Sequence, residues 1–209
     1  DGTKTHKLVL EGLFGNVNKV VSTSELQETG KLAELKIFCL VLQHGKTERD
    51  FLKDKNYQEE MDFLCASKAR NKYITNLTNG LQGNTLLLFQ YVEKHGKVLY
   101  EMLKKDRDDV FFVHGGVATE DRERVREITE KENDAIIVAS YGTFSTGINI
   151  KNLHNVIFAS PSKSRIRNLQ SIGRVLRKGN NKTKATLYDI ADDISYKSRK
   201  NYTLNHLIE

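Results

Sequence analysis

Residues 85–116, TLLLFQYVEKHGKVLYEMLKKDRDDVFFVHGG, hold the pattern that decides the fold. TLLLFQY is a short apolar run, as expected of a buried strand. VEKHGKVLYEMLKK follows with apolar residues at helical spacing. DVFFVHGG is a second strand closed by a glycine break. Strands that are apolar throughout and separated by helices belong to a parallel sheet covered on both faces.

The alternation continues outward in both directions. Upstream, ELKIFCLVL reads as a strand and NYQEEMDFLCASKARNKYITNLTNGL as one long amphipathic helix. Downstream, TEDRERVREITEKE is helical, with Thr119 as N-cap and Glu120 and Asp121 suited to the positive end of the helix dipole. DAIIVAS, HNVIFAS and KATLYDI are strands, and SKSRIRNLQSIGRVLRK is a helix between the last two. The expected fold class is therefore α/β, a parallel sheet with helices on both faces and right-handed crossovers. In such sheets ligands bind at the carboxyl ends of the strands. Residues 1–33 read as two short helical pieces, HKLVLEGLFG stopping at Gly15 and STSELQETG stopping at Gly30. They are too small to build a core of their own.

The 209 residues suffice for one domain plus an appendage. The formal charge of +6 is mild, but its distribution is not even. Between Ala159 and Tyr188 the basic residues are Lys163, Arg165, Arg167, Arg174, Arg177, Lys178, Lys182 and Lys184, with no Asp or Glu. That run fits either a polyanionic partner or a solvated basic face. Cys39 and Cys65 sit in apolar surroundings without metal or disulfide spacing, which points to a reducing cytoplasm. The N-terminus has no signal-peptide core, and no apolar run approaches the roughly 20 residues of a membrane span. The histidines are scattered, so no metal site is expected. Asp189, Asp192 and Asp193 cluster after a strand, where a helix N-terminus or a solvated turn is favoured over a metal. HGKT at 44–47 imitates the end of a phosphate-binding loop. The first glycine of that motif would be Leu40, and the stretch reads as a surface loop.

The carboxyl ends of the expected strands carry distinctive groups. Gln90 and Tyr91 follow TLLLF, and His114, Gly115 and Gly116 follow VFFV. SYGTFSTGINI follows AIIVA, bringing Ser140, Thr143, Ser145 and Thr146 with Gly142 and Gly147 between them. Small hydroxylated residues and glycines let backbone N–H groups approach an oxyanion, and they also serve in ordinary turns. In the helix around QSIGRVLRKG, taking Ile166 as zero, Leu169, Ile172 and Leu176 fall at about 300°, 240° and 280°. Lys163, Arg167, Gln170, Arg174 and Arg177 fall between about 20° and 100°, on the opposite face. Gly173 borders both faces. Arginine suits phosphate because its fork donates bidentate hydrogen bonds.

In order and spacing, FQY after a strand, HGG after a strand, VASYGTFSTGINI and QSIGRVLR resemble motifs IV, V and VI of superfamily 2 helicases. Within that superfamily the chain is most similar to phage recombination and branch-migration DNA helicases. The resemblance covers residue 34 to about residue 193. It implies a second RecA-like domain over 34–209, preceded at 1–33 by the tail of a first RecA-like domain and a linker. It implies ATP and Mg²⁺ held mainly by that first domain, which would bring the phosphate loop. Arg174 and Arg177 would be arginine fingers, and Gln170 would place the nucleotide or the attacking water. Gly147, Asn149 and Gly173 would line the nucleotide cleft. Asn149 stands where Asp is common in the superfamily, and Ser171 where many members carry Arg. Gln90, Tyr91, His114, Gly115, Ser140 and Thr143 would touch the nucleic-acid backbone. The implied activity is an ATP-dependent DNA helicase acting on branched DNA without sequence preference, in the cytoplasm of a bacterial host. This piece alone would be inactive. The alternative is a stand-alone nucleic-acid-binding module of the same fold without ATPase activity.

Overall fold

The apolar runs become adjacent rows of one sheet. The computed structural model describes residues 32–146, 150–161 and 182–194, with the shorter stretches 8–9, 11–13, 15, 23–28 and 172–173. Its strands are β1 (Glu34–Gln43), β2 (Thr85–Phe89), β3 (Val110–Val113), β4 (Ile136–Ser140), β5 (Asn155–Phe158) and β6 (Lys184–Asp193). They pair in the order β1-β6-β5-β2-β4-β3, and every pairing is parallel. All the carboxyl ends therefore lie along one edge.

Side chains alternate across a strand, so a run of apolar residues feeds two cores at once. Leu86 and Leu88 of β2 join Ile137, Ala139, Val156 and Phe158 on one face, where Val125 and Ile172 pack against them. Leu87 and Phe89 join Val138, Ile157 and Ile190 on the other, under Ile74, Leu99 and Leu103. The central strand β2 is buried along its whole length. Burying a large aliphatic side chain contributes about 1.5–3 kcal/mol, and this layer supplies most of the fold's drive.

The edge strand β1 departs from the expected pattern. Ile37 and Val41 are 53% and 45% exposed, because β1 pairs only with β6 and nothing among the described residues covers that face. Cys39 is exposed for the same reason, not set in an apolar environment, whereas Cys65 is buried.

Local chemistry corrects several other expectations. The long helix expected over 56–81 is two helices, α3 (Tyr57–Ala66) and α4 (Lys68–Gly80), after α1 (Thr23–Glu28) and α2 (Lys46–Leu52). Ser67 breaks it. Its backbone turns extended (φ −66°, ψ 107°), and its hydroxyl accepts from the Arg70 N–H as the cap of α4. HGKT is not a plain loop, since α2 begins at Lys46 with Gly45 as its cap. The connection from β1 is nonetheless only His44 and Gly45, too short to wrap a phosphate. VEKHGKVLYEMLKK opens with a π-helical turn, Val92–Gly96, before α5 (Lys97–Lys104). A methyl group on Gly96 would meet the Phe89 ring at 2.4 Å, so this close approach requires glycine. The helix α6 (Thr119–Lys131) is capped by Ala118, which places Thr119 inside it. A short α7 (Tyr141–Thr146) follows β4 directly. Asp189, Asp192 and Asp193 lie within β6, not in a turn after it.

Candidate nucleic-acid edge of the sheet

Because β2, β4 and β3 are neighbours, their ends set the predicted contact residues side by side. Gln90 and Tyr91 leave β2, Ser140 closes β4, and His114 and Gly115 leave β3. Gln90 and Gly115 are exposed. Tyr91 is half-buried, its hydroxyl donating to Gln58 Oε1 at 3.2 Å. Lys94 Nζ stands 4.0 Å over the Tyr91 ring and is ion-paired with Asp62. The Lys94 hydrogen bond draws the Asp62 carboxyl below its ordinary range. His114 packs on Phe112 with centroids 5.0 Å apart, and its Nδ1 accepts the Gly116 N–H at 3.1 Å. That bond places a proton on Nε2 in the neutral ring, leaving a donor on the far side.

The hydroxyl pair in SYGTFSTGINI is turned inward. Ser140 Oγ and Thr143 Oγ1 are 2.8 Å apart, and the Thr143 N–H donates to Ser140 Oγ at 3.4 Å. Ser140 thus caps the first turn of α7. Thr143 is only 5% exposed, while Ser140 is half-buried. Of the two residues, Ser140 is the more exposed.

The strand order also defines a crevice. The chain leaving β2 runs toward β3, whereas the chain leaving β5 runs to β6 on the other side. Divergence of that kind opens a ligand crevice between the two strands. It falls between Gln90 and Ser160, and the Gln90 N–H donates across it to Ser160 Oγ at 3.3 Å.

Beneath the crevice lies a polar layer that sequence reading missed. Asp192, at 0% exposure, sits 3.0 Å from Arg70 Nε through both carboxylate oxygens and 2.9 Å from His44 Nε2. Burial opposes its charge, but the Arg70 charge and the hydrogen bonds from His44 and Arg70 outweigh it and hold the carboxyl below its usual range. His44 is correspondingly raised, chiefly by its hydrogen bond to Asp192 and with help from Glu48 at 3.3 Å. Arg70 Nη2 also donates to the Ala159 carbonyl at 2.9 Å. The fully buried His95 is pushed down to about 3 by burial and by the Arg70 charge, so its ring is neutral. Arg70 looked like one more helix residue and His44 and His95 like scattered histidines. Partners 122 and 148 residues apart leave no local signal.

Gly173, like Ile172, is helical, and a methyl group added there would meet nothing within 4 Å. Ile172 packs against the core as its place on the apolar stripe requires. Gln170, Arg174, Arg177, Gly147 and Asn149 lie outside the described residues. Among the described residues there is no group of three or more His, Cys, Asp or Glu able to hold a metal ion, and no phosphate-wrapping loop. No helix among them is long and apolar enough to cross a membrane.

Known proteins share the sequence pattern and the fold. The sequence profile of the family described as "Helicase conserved C-terminal domain" matches residues 68–179. The chain is 42% identical over 207 residues to the ATP-dependent DNA helicase uvsW of Enterobacteria phage T4, covering 95% of this chain and 41% of that protein. It superposes on the crystal structure of T4 UvsW with a TM-score of 0.70 at 37% identity, covering 94% of this chain and 40% of that one. The type ISP restriction-modification enzyme LlaBIII, solved bound to DNA, shares the fold at a TM-score of 0.58 and 20% identity, over 87% of this chain and 14% of the enzyme. The chain thus spans about two fifths of the length of its T4 relative, and the RecA-like α/β reading of its sheet holds.

Proposed function

Because this chain belongs to the helicase conserved C-terminal domain family, we propose that it is the second motor half of an ATP-dependent DNA helicase acting on branched DNA. The observation that supports this most is the convergence of Gln90, Tyr91, His114, Gly115 and Ser140 on one edge of three adjacent parallel strands. These are backbone N–H, amide, imidazole and hydroxyl groups. They suit phosphate and sugar, which carry no base code, so binding is sequence-independent. Thr143 supports Ser140 from below.

On this reading residues 1–33 are the tail of a first RecA-like domain with its linker, and residues 34–209 are the second domain. ATP and Mg²⁺ supply the phosphoryl transfer that drives the motor, and the first domain holds them. This chain contributes Arg174 and Arg177, which neutralise charge developing on the transferred phosphoryl group, and Gln170, which orients nucleotide or water. Gly147, Asn149 and Gly173 line the cleft.

Arg174→Ala tests the assignment in a chain extended upstream to the start of its reading frame. Removal of an arginine finger is worth about 10³–10⁵ in turnover. The expected outcome is loss of ATP hydrolysis on that scale with DNA affinity nearly unchanged. Equal loss of turnover and DNA affinity would make Arg174 a DNA contact and sink the finger assignment.

A further inference from the structure

The hydrogen bonds beneath the crevice converge on one turn, Ala159–Ser160, and they come from separate elements. Arg70 of α4 donates to the Ala159 carbonyl at 2.9 Å. Tyr141, the first residue of α7, donates its hydroxyl to the Ser160 carbonyl at 2.8 Å. The Gln90 N–H at the end of β2 donates to Ser160 Oγ at 3.3 Å, and His95 Nδ1 lies 3.2 Å from the same oxygen. Ser160 Oγ accepts from Gln90 and makes one further hydrogen bond with His95 Nδ1, donating or accepting according to the tautomer of the ring. The Ala159 N–H is held as well, donating to the Leu88 carbonyl of β2 at 2.9 Å.

Three features make this turn more than a strand end. Ser160 is 1% exposed and its neighbours Ala159 and Pro161 are buried, so its hydroxyl is placed by the protein and not by solvent. Pro161 is the only proline of the chain, and it fixes the backbone angle with which the chain leaves the turn. The segment that follows carries Gln170, Arg174 and Arg177. On the other side, Gln90 and α7 with its cap Ser140 belong to the edge argued above to meet nucleic acid. Ser160 therefore joins groups facing DNA to the stem of the segment bearing the arginines.

We propose that Ser160 is a positioning residue that transmits DNA engagement at Gln90 and α7 to the arginine-bearing segment, with His95 as the hydrogen-bond partner that fixes its hydroxyl. Sites become coupled when both bias one discrete arrangement of a shared element, and the typical strength of such coupling is 5–150-fold. The proposal rests on the helicase reading, and its test separates the two.

The test uses the chain extended upstream. ATP turnover is measured with and without branched DNA, alongside DNA affinity, for wild type, Ser160→Ala, His95→Asn and His95→Leu. Asparagine retains a hydrogen-bonding group where Nδ1 stands, and leucine does not. Ser160→Ala and His95→Leu should each lower the stimulation of turnover by DNA at least about fivefold, with DNA-free turnover and DNA affinity unchanged, and His95→Asn should retain it. Hydrogen exchange over residues 161–180 gives a second reading that needs no turnover. DNA should alter protection there in wild type, and Ser160→Ala should remove the change. Wild type without ATPase activity but with this DNA-dependent protection would sink the helicase reading and keep the linkage. A parallel fall of all activities in Ser160→Ala, or an unchanged protection response, would overturn the proposal.

Discussion

Asp192 and His44 show how much one buried contact can decide. The carboxylate is out of water, and Arg70 and His44 keep it charged there. The folded pKa of His44 is raised above its ordinary 6.5 by the hydrogen bond to Asp192. A raised histidine adds stability that is fully present below its unfolded value and is lost as pH rises through its folded value. His95 acts in the opposite sense. Its folded value is depressed to about 3, so its contribution is present above 6.5 and is lost as pH falls toward 3. The overall pH profile mixes the two, but the difference between wild type and His44→Gln isolates the first. The gap in their urea midpoints should be larger at about pH 5.5 than at about pH 8.5. An equal gap at both would mean that His44 carries no linked proton. At this scale the sequence was least legible. Gln90, Tyr91 and His114 stood out because they interrupt apolar runs at strand ends. Arg70 and His95 did not, and Asp192 stood out only as one of three carboxylates after a strand, because their partners are distant in the chain and burial is not a local property.

Among the elements, strands were legible and helix details were not. Strand signals come from composition, and runs as short as TLLLF or IIVA are the length of a buried strand and too short for a helix. Helix ends depend on single backbone angles. Ser67 splits one long periodic segment because its hydroxyl offers α4 a cap, and periodicity cannot register that. The π turn at Val92–Gly96 is similar, since it exists where Gly96 packs on Phe89. In an ordinary helix interior, glycine to alanine stabilises by roughly 0.5–1 kcal/mol. Here the added methyl meets the ring of Phe89, itself fully buried and stacked on Phe112 at 5.7 Å. Gly96→Ala should therefore destabilise by about 1–3 kcal/mol in chemical denaturation. A neutral or stabilising result would contradict the packing account of the turn.

For the whole molecule, the parallel sheet makes the proposed nucleic-acid edge, because one direction of travel puts the carboxyl ends of all six strands on the same side. The fold class was legible from the alternation of apolar runs and helices. The strand order was not, since β5 and β6 join the sheet beyond β2, on the side away from β3 and β4, and so create the crevice at Gln90 and Ser160. The chain spans only about two fifths of its T4 relative, and the proposed function places the phosphate loop in a first RecA-like domain. The most direct test is ATP hydrolysis, with and without branched DNA, by this chain alone and by the chain extended upstream to the start of its reading frame. Turnover confined to the extended form and stimulated by DNA is the predicted result. Equal DNA-stimulated turnover by this chain alone, or none in either form while DNA still binds, would contradict a motor half that completes its ATP site with another domain.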